Sequence, residues 1–135
     1  MIKGIGHIAL NVKDMEKSIE FYCGALGLKK AFSLNDKEGK PWIEYVKVAD
    51  HVFIELFYNG PQYSEEVAKK HSFNHICIEV DDIHAIAKQL KDRGVTLDIE
   101  PMQGVDNNYQ AWARDPDGNR IEFMKLEPDS PHMKA

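Results

Sequence analysis

Phe73-Asn74-His75-Ile76-Cys77-Ile78-Glu79-Val80 repeats, almost word for word, the stretch Ile5-Gly6-His7-Ile8-Ala9-Leu10-Asn11-Val12. Each copy alternates like a β-strand, with His75, Cys77 and Glu79 on one side and Ile76, Ile78 and Val80 on the other. The aliphatic side is expected to pack on helices, which leaves the histidine side for another purpose. The echo runs on past the strands. Asp14 to Ile19 and then Leu26-Gly27-Leu28 follow the first histidine; Asp82 to Ile86 and then Arg93-Gly94-Val95 follow the second. Each half closes with a strand carrying one carboxylate, Val52-Phe53-Ile54-Glu55-Leu56 and Asn119-Arg120-Ile121-Glu122-Phe123. His7 and His75 are 68 residues apart, and Glu55 and Glu122 are 67 apart, so the marks keep nearly one register. Repetition at a fixed interval is the signature of a duplicated module.

Within each half the order of elements reads βαβββ. In the first, strand 4–12 leads to a helix capped by Asp14 and stopped by Gly27, its apolar stripe running through Met15, Ile19, Tyr22, Cys23 and Leu26. Strands near 29–34, 42–48 and 52–58 follow. In the second, strand 73–80 leads to helix 82–93, stopped by Gly94, and to strands near 96–102, 108–114 and 119–126. Asp115-Pro116-Asp117-Gly118 is a turn signal between the last two. The expected fold class is therefore α+β. It consists of one domain, 1–127, with module 1 at 4–59, a connector at 60–72, module 2 at 73–126, and a frayed or surface-lying tail at 128–135.

With 135 residues, 43% of them hydrophobic and 29% charged, the chain has the composition of an ordinary soluble domain with a substantial core. A net charge of −5 with no Lys/Arg cluster argues against nucleic acid and anionic membranes as partners. No run approaches the ~20 apolar residues that span a bilayer. Cys23 and Cys77 show no CxxC spacing. The cytoplasm is the expected location.

Two histidines and two glutamates at matching places in two copies point to one assembled site. On the strand of Glu55, period 2 puts Phe53, Phe57 and Asn59 on the carboxylate's own face. A carboxylate among aromatics is costly unless something neutralises it. Glu122 is flanked in the same way by Arg120 and Met124. Two imidazoles and two carboxylates form a mixed nitrogen and oxygen set suited to Zn²⁺, Ni²⁺, Co²⁺, Mn²⁺ or Fe²⁺. A single strand histidine is usually structural; the duplication is what favours ligands. His51, His71, His84 and His132 lack such a pattern and are expected at the surface.

The duplicated βαβββ unit, the helix ending Phe21-Tyr22-Cys23-Gly24-Ala25-Leu26-Gly27-Leu28 and the closing hairpin Asp115-Pro116-Asp117-Gly118-Asn119-Arg120-Ile121-Glu122 together resemble the vicinal oxygen chelate superfamily, from Ile5 to Leu126. The resemblance implies two βαβββ modules forming a curved mixed sheet around a divalent metal, in a homodimer. Extradiol dioxygenases and fosfomycin-resistance enzymes of that superfamily use two His and one Glu, and methylmalonyl-CoA epimerases typically have Gln where Glu55 stands. The order His, Glu, His, Glu, at His7, Glu55, His75 and Glu122, resembles glyoxalase I, as does Ile54-Glu55-Leu56-Phe57-Tyr58-Asn59.

This likeness implies a lyase that isomerises a 2-oxoaldehyde thiol hemithioacetal, such as that of methylglyoxal with glutathione. It further implies one divalent ion per site, Ni²⁺ or Zn²⁺ first and Co²⁺, Mn²⁺ or Fe²⁺ as alternatives, with Glu55 and Glu122 moving the proton. Asn11, Asn59, Phe53, Phe57 and Met124 would meet the small-molecule substrate. Asn11 stands where glyoxalase I usually has an arginine, and His71 where some members have another, so the thiol is left open. The other readings are an epimerase, lyase or oxygenase acting on a different substrate, and a metal-free binding protein of the bleomycin-resistance kind.

Overall fold

A computed structural model describes residues 6–58, 73 and 75–135. The chain divides into two compact units, Met1–Lys69 and Lys70–Ala135. Each carries a four-stranded mixed sheet and few helices, and each follows the βαβββ order expected from the sequence. The 60–72 connector, with His71, lies outside the described residues, as does Asn59.

In the first unit β1 (His7–Val12) precedes α1 (Met15–Ile19). Strands β2 (Lys29–Asn35), β3 (Pro41–Ala49) and β4 (Val52–Tyr58) complete it. The sheet order is β1-β4-β3-β2, with β1 parallel to β4 and the other pairs antiparallel. In the second unit β5 (His75–Glu79), α2 (Ile83–Asp92), β6 (Leu97–Gln103), β7 (Tyr109–Arg114) and β8 (Arg120–Lys125) repeat the plan, in the order β5-β8-β7-β6. A parallel pair of first and last strands needs a long crossover, which the helix supplies; the tight hairpins then build the antiparallel remainder.

Both helices begin alike. The Asp14 carboxylate accepts from the Lys17 backbone N–H, and the Asp82 carboxylate from those of His84 and Ala85. Both end at a glycine with positive φ, Gly27 at 76° and Gly94 at 82°. Between those caps the first unit holds one more residue than the second. Its helix accommodates the extra residue by changing from α to π over Glu20–Ala25, where the Leu26 N–H donates to the Phe21 carbonyl at 2.9 Å. A π-turn spends one more residue per hydrogen bond than an α-turn. The change from 68 to 67 in the spacing of the two copies thus has a place in the chain, and the expected uninterrupted α-helix is corrected to an α–π helix.

The aliphatic faces are buried as the alternation required: Leu10, Val12, Ile54 and Leu56 in the first unit, and Ile76, Ile83, Ile121 and Phe123 in the second. Burying each such side chain contributes about 1.5–3 kcal/mol. The first unit also buries Glu44, which binds Lys30 Nζ at 2.7 Å and accepts hydrogen bonds from the Ser33 and Tyr58 hydroxyls. Burial alone would raise the Glu44 carboxyl, but these three donors outweigh it and hold it below its ordinary value.

The tail lies on the surface, one of its two expected alternatives, and is fastened there. Residues Pro131–Lys134 form a helical turn, α3, whose N-cap Ser130 is fully buried. His132, exposed as expected, places Nδ1 2.9 Å from the side-chain amide of the buried Asn108, which also donates to Asp106. Asn108 accepts from the Glu127 N–H as well, so one buried amide fastens the last turn to the loop before β7.

Candidate metal centre

Strand pairing explains why each histidine meets its glutamate. β1 and β4 run parallel with Ala9 opposite Glu55, and His7 lies one step along the same face, opposite Phe53. His7 Nδ1 lies 3.5 Å from Glu55 Oε1. In the second unit Cys77 stands opposite Glu122 and His75 opposite Arg120, and His75 Nε2 lies 3.2 Å from Glu122 Oε2. Both glutamate side chains are only 9% exposed, while the histidines are open at 55% and 33%. A buried carboxylate beside a half-open imidazole is a costly arrangement that a cation would relieve.

A third strand completes each pair. Tyr45 of β3 is the cross-strand partner of Glu55, and its hydroxyl donates to that carboxylate. Burial, then this bond and the Glu55 charge, push the Tyr45 hydroxyl above its ordinary value. Trp112 of β7 is the partner of Glu122, and its indole meets the His75 ring edge to face at 4.9 Å. Cys77 donates its thiol to Glu122, and desolvation, followed by the Glu122 charge and hydrogen bond, pushes that thiol up to about 12. At neutral pH Cys77 is therefore a protonated donor rather than a thiolate.

Among the residues expected to meet substrate, Asn11 is exposed and stands opposite Phe57; Phe53 is half-buried opposite His7; Met124 is half-buried opposite Glu79. Tyr45 was not singled out by the sequence. The short turn after Ala49 would have set Val46 against Glu55, but a register shift between Lys47 and Ala49 brings Tyr45 there instead. A bulge of one residue exchanges the faces of a strand, and alternation alone does not reveal it. Of the two tryptophans, at least one of which is expected in sheet packing, Trp112 is buried, whereas Trp42 is 46% exposed and meets Phe57 edge to face.

The donor set fits a divalent ion of borderline hardness: in each unit one imidazole nitrogen and one carboxylate oxygen share a face. Among the described residues no group of three or more His, Cys, Asp or Glu in one place could hold a metal by itself, so each unit offers two donors.

Residues 4–123 match the model of the glyoxalase/bleomycin resistance protein/dioxygenase superfamily. The chain belongs to that superfamily. Members of it generally use a divalent metal. Among curated relatives, a probable lactoylglutathione lyase of Vibrio parahaemolyticus is 33% identical over 96% of this chain and 95% of its own length. Among solved structures, glyoxalase I of Zea mays superposes with a TM-score of 0.74 at 23% identity, over 90% of this chain and 44% of that longer one. TnmS3, an antibiotic binding protein from Streptomyces sp. CB03234, gives a TM-score of 0.74 at 25% identity, over 93% and 98%. The fold therefore serves proteins with different uses, and the site must decide between them. No helix among the described residues is long and apolar enough to cross a membrane.

Proposed function

We propose that the chain is a metal-dependent lyase of the glyoxalase I kind, converting the hemithioacetal of a 2-oxoaldehyde to a 2-hydroxyacyl thioester, with the methylglyoxal–glutathione adduct as the reference substrate. The observation that carries this reading is the second buried carboxylate. An oxygenase with a two-His, one-carboxylate triad keeps positions open for substrate and dioxygen. Here each histidine has its own buried glutamate.

His7, Glu55, His75 and Glu122 would hold one divalent ion, Ni²⁺ or Zn²⁺ before Co²⁺, Mn²⁺ or Fe²⁺. When bound, the ion polarises the adjacent oxygens of the substrate and stabilises the negative charge that develops on them. Glu122 takes the proton from one substrate carbon and returns it to its neighbour, and Glu55 is the second carboxylate in that exchange. Tyr45 and Cys77 each aim one glutamate through a hydrogen bond. Asn11, Phe53, Phe57, Met124 and, outside the described residues, Asn59 would contact the rest of the substrate.

A specific observation favours one competitor. The first unit's face carries Phe32 stacked on Tyr45 at 4.1 Å, with Phe53 edge-on to both, as a metal-free small-molecule binding protein would require. Metal analysis of protein purified without chelator separates the two readings. Stoichiometric divalent metal and hemithioacetal turnover are expected; substoichiometric metal that added Ni²⁺ or Zn²⁺ does not restore would leave the binding protein.

The lyase is further proposed to act as a cytoplasmic homodimer. If the ion draws ligands from two chains, mixing inactive His7→Ala and His75→Ala chains regains part of the activity. Sites closed within one chain give no rescue.

A further inference from the structure

Arg120 is not used by the proposed chemistry, yet it shares the site face. It stands opposite His75 in the β5–β8 register and two residues before Glu122 on the same side of β8. Its guanidinium lies 4.4 Å from the centre of the Trp112 ring, and Trp112 in turn meets His75. The Trp112 indole N–H is committed to Gln110 Oε1 at 3.0 Å, which fixes the ring on which the guanidinium rests.

Two comparisons say that packing alone does not account for a charge here. In the first unit the same sheet position holds Phe53, which meets Tyr45 with ring centroids 6.2 Å apart, so an apolar ring fills this place adequately. On the first unit's face Lys47, which stands opposite Phe53, is tied to Asp50 at 2.6 Å. Arg120 is half-buried and makes no ion pair among the described residues, although Glu122 and Glu79 lie on its face. A guanidinium placed over an aromatic ring can turn its N–H edge to a carboxylate, which it binds with two parallel hydrogen bonds.

We propose that Arg120, supported by Trp112, is a specificity-determining residue that receives a carboxylate of the substrate beside the His75–Glu122 pair. This rests on the proposed lyase reading for the identity of the substrate, but not for the anion-binding geometry. The class of substrate it selects is a hemithioacetal of a carboxylate-bearing thiol over one of a neutral thiol.

The test uses full-length, metal-loaded protein as wild type, Arg120→Lys and Arg120→Phe. The phenylalanine variant copies the first unit's stacking and so guards against a mere folding defect. Hemithioacetals of methylglyoxal with glutathione and with its diester, in which both carboxylates are capped, are compared by kcat/KM. In parallel, S-methylglutathione and its diester are titrated calorimetrically, a readout that needs no turnover. The preference for the free acid over the diester is expected to fall by about ten- to a hundredfold in Arg120→Phe, through KM and Kd, and by less in Arg120→Lys. An acid-to-diester preference equal in wild type and Arg120→Phe, or absent in wild type, overturns the proposal. Arg120-dependent binding without turnover would retain it and defeat the lyase reading; turnover without Arg120 dependence would do the reverse.

Discussion

The two units place the same pair of groups on the same pair of strands, yet surround them with opposite chemistries. Around His7 and Glu55 the face is aromatic, built from Phe32, Tyr45 and Phe53. Around His75 and Glu122 the corresponding positions hold Cys77 for Ala9, Arg120 for Phe53, Trp112 for Tyr45 and Glu79 for Asn11. What duplication kept is the donor set; what it released is everything beside it.

The largest expected effect breaks the equivalence of the two carboxylates. Glu55 is held by a phenol and Glu122 by a thiol, and the thiol is the weaker donor, so Glu122 is the less restrained of the two. Glu122→Gln is expected to retain metal through its amide oxygen and lose turnover by about 10²–10⁴-fold, the usual worth of a general base. Glu55→Gln is expected to lose less. Steady-state kinetics on metal-quantified protein measures both, and equal losses would make the glutamates interchangeable.

Next come the histidines. Removing either His7 or His75 is expected to weaken metal binding by at least about 100-fold, since even outer partners of metal ligands are worth roughly 10–100-fold. The two alanine variants should differ in the metal-free state. His75 is packed on Trp112, an aromatic contact worth about 0.5–1.5 kcal/mol, and the open His7 has no ring contact among the described residues. Urea unfolding with chelator present is expected to show His75→Ala as the less stable. Equal midpoints would assign Trp112 to Arg120 alone.

The third contrast lies on the opposite faces of the sheets. Buried Glu44 of the first unit has Ala111 as its counterpart in the second, so its ionic network has no equivalent at that sheet position. Lys30 is 47% exposed and can rehydrate, so Glu44→Gln is expected to cost about 1–3 kcal/mol rather than the larger penalty of a buried charge left alone. The folded-state carboxyl is lowered from its ordinary 4.5. Its stabilisation is therefore complete above 4.5 and is lost as pH falls through the lower folded value. The variant's stability curve is expected to be shallower than the wild type's from neutral into acid; parallel curves would remove the network from the account.

Most of this was written in the alternation and the echo. Strands, helix caps, stopping glycines and the four candidate ligands are all local marks repeated twice, so one copy checks the other. What was hidden depends on register and on distance along the chain. Tyr45 reaches Glu55 only through a bulge. The π-turn that absorbs one residue has no composition of its own. The last turn is fixed by Asn108, 24 residues before His132, a contact that no local pattern announces.

The smallest expected effect tests the duplication at a single backbone position. Gly118, in the turn before β8, has φ of 85°, and the residue at the corresponding place before β4 is His51, with φ of 63°. A side chain in the left-handed region costs about 1–2 kcal/mol, and glycine gives back part of that gain through the greater freedom of its unfolded chain. His51 is exposed, so its removal leaves no core gap. His51→Gly is therefore expected to stabilise the protein by up to about 1 kcal/mol, and Gly118→Ala to destabilise it by about 1 kcal/mol. No heavy atom lies within 4 Å of where a Cβ on Gly118 would stand, so that cost is backbone strain and not a clash. Urea midpoints of the two variants at matched metal content measure the pair. Opposite signs would show the two turns to be one backbone solution filled by different residues; a destabilising His51→Gly would mean that the imidazole makes a contact that offsets its strain.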